Sequence, residues 1–252
     1  MKFTIQLQAI ALIVTNLFFI QNSHAGVFNF TAEQNYENLG FGGLGNSPVQ
    51  FKYGYESITA SAYALVENNS ANGFTNKFRR ANLTRNASTG LGVNRFDDSL
   101  GQIDNQDNID LILFDFGQAS ADPLSLVFSL VSANDNVSLW LGNGLEDIYA
   151  NLGNSIDSFL DLNFNKLVSI AGFTQVAENA KLILNNPFDL SAKNFQYLVV
   201  AAPDYRESGL ANDDFRLASL DVQDLPEPGV PALFLAALIA WTGVRRLGQR
   251  AE

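Results

Sequence analysis

The sequence contains no cysteine, and its only histidine and only methionine are His24 and Met1. Without cysteine, the chain has no disulfide bonds, thiolate nucleophiles, Cys-ligated zinc or iron–sulfur clusters. If residues 1–25 are removed, as argued below, the remaining chain also lacks histidine, which excludes Ser-His-Asp catalysis and histidine metal sites. The groups left for chemistry are carboxylates, lysine, arginine, tyrosine, hydroxyls and oxygen ligands for hard cations. We therefore expect a protein that is not an enzyme.

Positive charge is also scarce. The chain has 15 Lys and Arg residues against 26 Asp and Glu residues, and its formal net charge is −11. Because a phosphate backbone needs a basic surface, this balance argues against a nucleic-acid partner. It also disfavours simple adsorption to anionic lipid. The length of 252 residues suits one large all-β domain or two small domains.

The N-terminus has the pattern of a secretory signal peptide. One cation, Lys2, precedes an apolar core from Ile10 to Ile20. Small residues at Ser23 and Ala25 then occupy the positions that a signal peptidase reads before Gly26. We predict export by the Sec machinery and cleavage between Ala25 and Gly26, so that residues 1–25 are the signal peptide. The alternative is an uncleaved N-terminal membrane anchor.

The C-terminus carries a short apolar segment followed by arginines. Val230 to Val244 has no charge, and fifteen helical residues span about 22 Å, somewhat less than the ~30 Å hydrocarbon core. Trp241 lies one turn before Arg245 and Arg246, where an interfacial aromatic residue belongs, and Arg250 follows. This pattern predicts a single transmembrane helix, with the body outside the cytoplasm and the tail inside. The alternative is a buried C-terminal core element.

Together with the tripeptide Pro226-Glu227-Pro228, this tail resembles the PEP-CTERM sorting signal of Gram-negative bacteria that form biofilms or flocs. In that family the tail is recognised by an exosortase, a membrane-embedded enzyme similar to cysteine transpeptidases. The substrate is then released or transferred to the cell surface or the exopolysaccharide matrix. The resemblance covers residues 225–252 only. It implies recognition through the tripeptide and retention through the arginines, namely Pro226, Glu227, Pro228, Arg245, Arg246 and Arg250.

A second, looser resemblance lies inside the body. The stretch Gly90–Gly117 is similar to one found in surface proteins that carry such a tail, where a Gly-Leu-Gly-Val turn and an Ile-Asp-Asn loop lead into an apolar strand. This likeness implies no activity.

Apolar and polar residues alternate along most of the body, which predicts β-strands separated by Gly- and Asn-containing turns. One run, Ile109–Gly117, is apolar on both faces and predicts a central strand covered on both sides. A short helix is predicted over Glu146–Leu160. The other predicted strands lie at 124–130, 137–141, 160–165, 181–185, 195–201 and 215–217.

Many short strands with such turns predict an all-β fold, an antiparallel, jelly-roll-like β-sandwich. We find no internal repeat at a fixed period and no Pro/Ser-rich linker within the body. The predicted organisation is a signal peptide at 1–25, one β-sandwich domain at 26–224, and a sorting signal with its transmembrane helix and Arg-rich tail at 225–252.

A cluster of oxygen-bearing side chains precedes the predicted central strand. Calcium takes six to eight oxygen ligands, and loops at the rim of a β-sandwich can supply them. The spacing is not that of an EF-hand. A solvated acidic loop is the alternative interpretation. Apart from this candidate calcium site we expect no cofactor. The candidate ligands are Asp104, Asn105, Asp107, Asn108 and Asp110.

Two alternatives to a structural role stay open. Aromatic residues could form a sugar-binding platform, which would make the protein a carbohydrate-binding module, with or without calcium. Paired carboxylates held about 5–9.5 Å apart could hydrolyse glycosides, as in a glycan-active enzyme. The candidate platform residues are Tyr53, Tyr55, Tyr63, Trp140 and Tyr149.

The interpretation that accounts for both termini is an exported surface or extracellular-matrix protein with a structural or exopolysaccharide-associated role. Its expected partners are the Sec machinery, an exosortase-type enzyme and exopolysaccharide. The expected location is first the inner membrane, through the C-terminal helix, and then the cell surface or matrix.

Overall fold

The structure is a computed structural model that describes residues 26–31, 42–45, 48–53, 56–66, 77–94, 101–105, 108–117, 122–143, 162–169, 172–190, 195–203 and 213–223. The chain divides into two units, Ala25–Pro226 and the terminal segments Met1–His24 with Glu227–Glu252. All described residues belong to the first unit. The predicted signal peptide, the helix predicted over Glu146–Leu160, and the sorting tail with its transmembrane helix lie outside the described residues.

The described part of the chain is almost entirely β-structure. It has fifteen strands and one short helix. No helix in these ranges has the length and apolar character needed to span a membrane. The elements are β1 (Gly26–Asn29), β2 (Gly42–Gly45), β3 (Val49–Tyr53), β4 (Glu56–Val66), β5 (Lys77–Arg80), β6 (Asn82–Asn86), β7 (Gly90–Asn94), β8 (Ile103–Asp104), β9 (Ile109–Asp115), β10 (Asp122–Ser129), β11 (Asn136–Gly142), α1 (Phe164–Ser169), β12 (Thr174–Lys181), β13 (Pro187–Asp189), β14 (Tyr197–Ala201) and β15 (Asp214–Gln223).

The strands form two antiparallel sheets. Sheet A has the order β13-β10-β15-β7-β6-β2, and β1 and β8 also pair with β15. Sheet B has the order β12-β11-β14-β9-β4-β3, and β5 also pairs with β4. Phe30, which follows β1 of sheet A, stacks on Phe114 of sheet B with ring centroids 5.8 Å apart. The predicted all-β sandwich is therefore confirmed.

Strand β9 lies in the middle of sheet B and is buried on both faces, as predicted. All its residues except Asp115 are buried. Phe114 faces sheet A, whereas Leu113 shares the opposite face with its cross-strand neighbours Val199 and Trp140. That outer face is covered by α1, because the Trp140 ring stacks on Phe164 at 4.7 Å.

Two of the predicted strands are wrong. Residues 160–165 contain the start of α1, where the Oδ1 of Asn163 accepts a hydrogen bond from the Lys166 N–H (3.0 Å) and caps the helix. In residues 181–185 the strand ends at Lys181, the last residue of β12, and a turn follows at residues 184–185, where Asn185 has a φ of 55°. In both places apolar residues at alternate positions have the pattern of a strand. The extended conformation nevertheless ends at an asparagine, Asn163 or Asn185.

The glycines of the Gly-Leu-Gly-Val stretch allow close packing of two backbones. These residues form strand β7 and not the turn that the resemblance implied. A Cβ atom on Gly90 would lie 2.1 Å from the carbonyl oxygen of Leu217, and one on Gly92 would lie 1.9 Å from that of Gly101. Any larger residue would force the neighbouring backbone away.

The long strand β15 runs from one end of the sandwich to the other. Its first residues, with Asp213 before them, lie at what we call the polar end, and its last residue, Gln223, lies at what we call the terminal end. Ten residues at about 3.3 Å each separate the two ends by roughly 30 Å. Gly26, the first residue of β1, is at the terminal end, opposite Val222.

Candidate functional site at the two ends of the sandwich

The terminal end joins the two predicted processing points. Strand β1 begins at Gly26, which is the first residue after the predicted signal cleavage site. Strand β15 ends at Gln223, so that one residue, Asp224, separates it from the predicted sorting signal at Leu225. Because Gly26 and Val222 are Cα partners, the described part of the chain begins and ends beside the same strand pair.

The tail would leave the domain from an interior strand of sheet A. One side of β15 pairs with β10, from Arg216 to Gln223. The other side pairs in turn with β8, β7 and β1. The final residues of β15 are thus held on both sides, and fraying them requires breaking the pairing with β1 or β10.

Four residues form a row across the outward face of sheet A at this end. Val27 is opposite Asp221, Asp221 is opposite Ser125, and Ser125 is opposite Asp189. Val27 and Asp189 are exposed, whereas Ser125 and Asp221 are half-buried. The Oδ1 atom of Asp221 is buried and has no hydrogen-bond partner among the described residues. Within the part of the chain that the structure describes, one oxygen of this carboxylate is therefore without a donor.

The polar end is closed by a buried hydrogen-bonded cluster. Asn105 and Asp213 are both buried, and the Asn105 amide donates to the Asp213 Oδ2 (2.9 Å) and to the Pro203 carbonyl (3.0 Å). The Asp213 N–H donates back to the Asn105 Oδ1 (2.9 Å), and the Asn136 N–H donates to the Asp213 Oδ1 (2.7 Å). Both carboxylate oxygens of Asp213 are thus satisfied by protein groups.

Asp213 and the following residue, Asp214, have raised pKa values. Burial raises the pKa of Asp213 above its usual 3.8, and the hydrogen bonds from Asn136 and Asn105 lower it only in part. Burial also raises the pKa of Asp214, and the negative charge of Asp135 raises it further. At the C-terminal end of β9, burial likewise raises the pKa of Asp115. The hydrogen bond from the Gly117 N–H (2.8 Å) lowers this pKa only in part.

The structure describes four of the five candidate calcium ligands. Asn105 belongs to the buried cluster, and Asp104 is the Cα partner of Asp214. Asn108 lies just before β9 and Asp110 is buried within it. Asp107 lies outside the described residues. Among those described, no three acidic or histidine side chains are placed to hold a metal ion.

The candidate aromatic platform is not formed by the residues that can be placed. Tyr63 and Trp140 are buried, and only Tyr53 is substantially exposed, at 44%. Tyr55 and Tyr149 lie outside the described residues. In the described ranges, Trp140 and Tyr63 are core residues of the outer face of sheet B.

Sequence reasoning missed Asp213, Asp135 and Asp221. Asp213 could have been noticed as the start of an Asp-Asp pair before an alternating run. Its principal side-chain partner, Asn105, lies 108 residues away, so that no local pattern connects the two. The same holds for Asp221, whose surroundings come from β1, β10 and β13.

Comparison with protein-family models, with curated proteins and with solved structures finds no match for this chain.

Proposed function

We propose that this chain is the precursor of an exported surface or extracellular-matrix protein, sorted and processed through its C-terminal PEP-CTERM-like signal. In this proposal the body is non-enzymatic and has a structural or exopolysaccharide-associated role. The observation that carries the proposal is where the first strand begins and the last strand ends along the chain. Strand β1 starts at Gly26 and β15 ends at Gln223, immediately inside the two predicted processing segments.

Both predicted removals would leave the described sandwich whole. Cleavage after Ala25 and loss of residues 225–252 would take away no residue of any described strand. A domain whose first and last strands pair with each other is also closed at that end, which suits a body that must persist outside the cell after processing. The adjacency of Gly26 and Val222 supports this reading.

The proposal includes the finer assignments made from the sequence. These are a jelly-roll-like topology, a C-terminal transmembrane helix that holds the precursor in the inner membrane, an exosortase-type processing partner, and export by the Sec machinery. The acidic composition and the absence of histidine and cysteine from residues 26–252 support a non-catalytic body without a nucleic-acid partner.

The test is to alter each part of the tail separately. We expect replacement of Pro226, Glu227 and Pro228 by alanine to leave uncleaved protein in the inner membrane. Deletion of residues 245–252 should misdirect the protein. A matched control with lysine in place of Arg245, Arg246 and Arg250 keeps the positive charge and should retain membrane insertion. The readouts are cell fractionation and the intact mass of the exported protein.

Normal surface delivery of the alanine variant with an intact C-terminus would overturn the proposal. Secretion of the unaltered protein with the complete residues 225–252 would do the same, because no processing would have occurred.

A calcium-stabilised carbohydrate-binding module is the second candidate. One observation favours bound calcium: the negative charge of Asp135 repels that of Asp214 and raises its pKa, and Asp214 is the Cα partner of the candidate ligand Asp104. A divalent cation would relieve this repulsion. Sugar binding has no such support, because the side chains of Tyr63 and Trp140 are buried.

A further inference from the structure

A buried carboxylate oxygen of Asp221 lies close to the start of β1. Asp221 carries a carboxylate oxygen that is buried without a donor among the described residues. Gly26 is buried at the first position of β1, one residue along from the position opposite Asp221. With strands about 4.8 Å apart and a rise of about 3.3 Å per residue, the two Cα atoms are roughly 6 Å apart.

Cleavage of the signal peptide changes the chemistry of Gly26. Water hydrolyses the Ala25–Gly26 peptide bond, so that a carboxylate remains on Ala25 and an amine on Gly26. At neutral pH this amine is largely protonated, because an α-amino group has a pKa of about 7.7–8.0. The amide with one N–H becomes an ammonium group with three.

One of these three protons is already accounted for by the strand pairing. The Phe30 N–H donates to the Ala218 carbonyl (2.8 Å), and hydrogen-bonded pairs alternate along an antiparallel ladder. The pairs Phe28–Leu220 and Gly26–Val222 are therefore of the same hydrogen-bonded type. The Val222 carbonyl takes one donor of Gly26, and the two further N–H groups of the ammonium are left for other acceptors.

The surroundings offer acidic and neutral groups. On the outward face beside Asp221, β1 presents Val27, β10 presents Ser125 and β13 presents Asp189. On β15 itself, Gln223 is two residues away, and Asp122 is its Cα partner on β10. None of these positions holds a lysine or arginine. On the inner face, β3 of sheet B packs against β1 through Tyr53, whose ring centroid lies 6.3 Å from that of Phe28, and Lys52 precedes Tyr53 in the chain.

Resting on the processing proposed above, we propose that the α-ammonium group created on Gly26 pairs with the Asp221 carboxylate and so fastens β1 to the strand that leads to the sorting tail. N-terminal cleavage would then precede and prepare the C-terminal step. Before cleavage, β1 is continuous with the membrane-inserted signal peptide and lacks this charge. After cleavage, the ion pair would add to the backbone pairing by which β1 already holds the last residues of β15.

The experiment uses the full chain, exported and processed by the cell, in four forms. These are the unaltered protein, Asp221→Asn, the control Asp189→Asn, and an insertion of Gly-Ser-Gly after Ala25. The insertion keeps the cleavage site but moves the new amine about 10 Å along the chain. Asp189→Asn makes the same charge change on the same row, two strands further from β1.

The readouts are the N-terminal mass and the pH dependence of urea unfolding between pH 6 and 10. A paired amine has a raised pKa in the folded state. Its stabilisation is therefore present at pH 7 and is lost as the pH rises through that pKa. We expect the unaltered protein and Asp189→Asn to lose about three- to tenfold in the folded-to-unfolded ratio over this window, beyond the loss in Asp221→Asn and in the insertion variant.

The two proposals fail in different ways. If the exported protein begins at Gly26 but all four forms show the same pH profile, the pairing is refuted and the sorting proposal stands. If the exported protein does not begin at Gly26, the predicted processing is refuted and the pairing with it.

Discussion

Asn105 and Asp213 hold each other through two hydrogen bonds of 2.9 Å, one from each residue to the other, although 108 residues separate them. Together they tie the segment before β9 to the start of β15 and close the polar end of the sandwich. Both side chains are buried, so that removal of either leaves polar groups that water cannot readily satisfy.

Replacement of Asn105 by alanine should therefore be strongly destabilising. It leaves three buried polar groups without their hydrogen-bond partner: the Asp213 N–H, one Asp213 carboxylate oxygen and the Pro203 carbonyl. We expect a loss of about 2–4 kcal/mol in the free energy of unfolding. Urea titration measures this loss. The control Asn86→Ala removes an exposed asparagine that bonds only locally to Ser88 in the contacts seen, and should cost about 1 kcal/mol or less. Equal losses in the two variants would contradict the assigned role of the cluster.

The protein should become more stable as the pH falls from neutrality towards the mildly acidic range. An unfolded Asp has a pKa of about 3.9 and has released its proton by pH 5 or so. Burial raises the pKa of Asp213 and Asp214 in the folded protein, so that the folded state binds more protons. Stability then falls as the pH rises through the raised pKa values.

Asp214→Asn tests this pH dependence, since it removes one titrating group. We expect a shallower fall in the free energy of unfolding between pH 4.5 and 7 than in the unaltered protein. Identical slopes would show that Asp214 titrates alike in the folded and unfolded states.

Gly92→Ala should disrupt the packing of β7. The added Cβ atom would lie 1.9 Å from the Gly101 carbonyl oxygen, and the backbone of Gly101 and Gln102 would have to move. We expect a loss of about 3 kcal/mol or more, at the upper end of overpacking costs. The control Gly117→Ala has open space around its Cβ and pays only for its φ of 86°, about 1–2 kcal/mol. Thermal and urea unfolding measure the stability of both variants. A Gly92→Ala variant as stable as the unaltered protein would disprove the close approach of Gly92 to the Gly101 carbonyl.

A disulfide can test the pairing of β1 with β15 in a chain that has no other cysteine. Asn29 and Ser219 are Cα partners of the non-hydrogen-bonded type, whose Cα atoms are about 4.5 Å apart, within disulfide range. Asn29→Cys with Ser219→Cys should oxidise and stabilise the protein by about 3–5 kcal/mol, because the bridge closes a long loop. Mass change on reduction reports the bond. Asn29→Cys with Gln223→Cys is four residues out of register and should stay reduced.

The calcium hypothesis predicts a melting temperature that is higher in millimolar calcium than in EDTA. A cation held by Asp104 would relieve the repulsion between Asp135 and Asp214, and Asp104→Asn should abolish the difference. Calorimetry of the two proteins in both buffers measures it. The same melting temperature of the unaltered protein in both buffers would remove the metal from the account.

Much of the fold could be predicted, and the errors have identifiable causes. The alternation at 124–130 and 137–141 and the doubly apolar run at 109–117 became β10, β11 and β9, because burial on one or two faces is written directly in the spacing of apolar residues. The same spacing was misleading at 160–165, where Asn163 caps a helix and Phe164 packs on Trp140. A local pattern does not show which surface a side chain will meet.

The candidate site was predictable only in part. Asp104 and Asn105 were singled out as oxygen donors for a cation, yet the structure uses Asn105 to satisfy Asp213. Asp221 carried no signal at all, because its unpaired oxygen results from its neighbours on three other strands.

Composition and local spacing alone fix the absence of thiol chemistry, the predominance of strands, and the targeting signals predicted at both termini, since each is a property of single residues or short windows. Tertiary structure alone decided that Gly26 lies opposite Val222 and that Asn105 meets Asp213. Sheet order and register select such partners, and these depend on the simultaneous packing of two sheets, which no stretch of the chain encodes by itself.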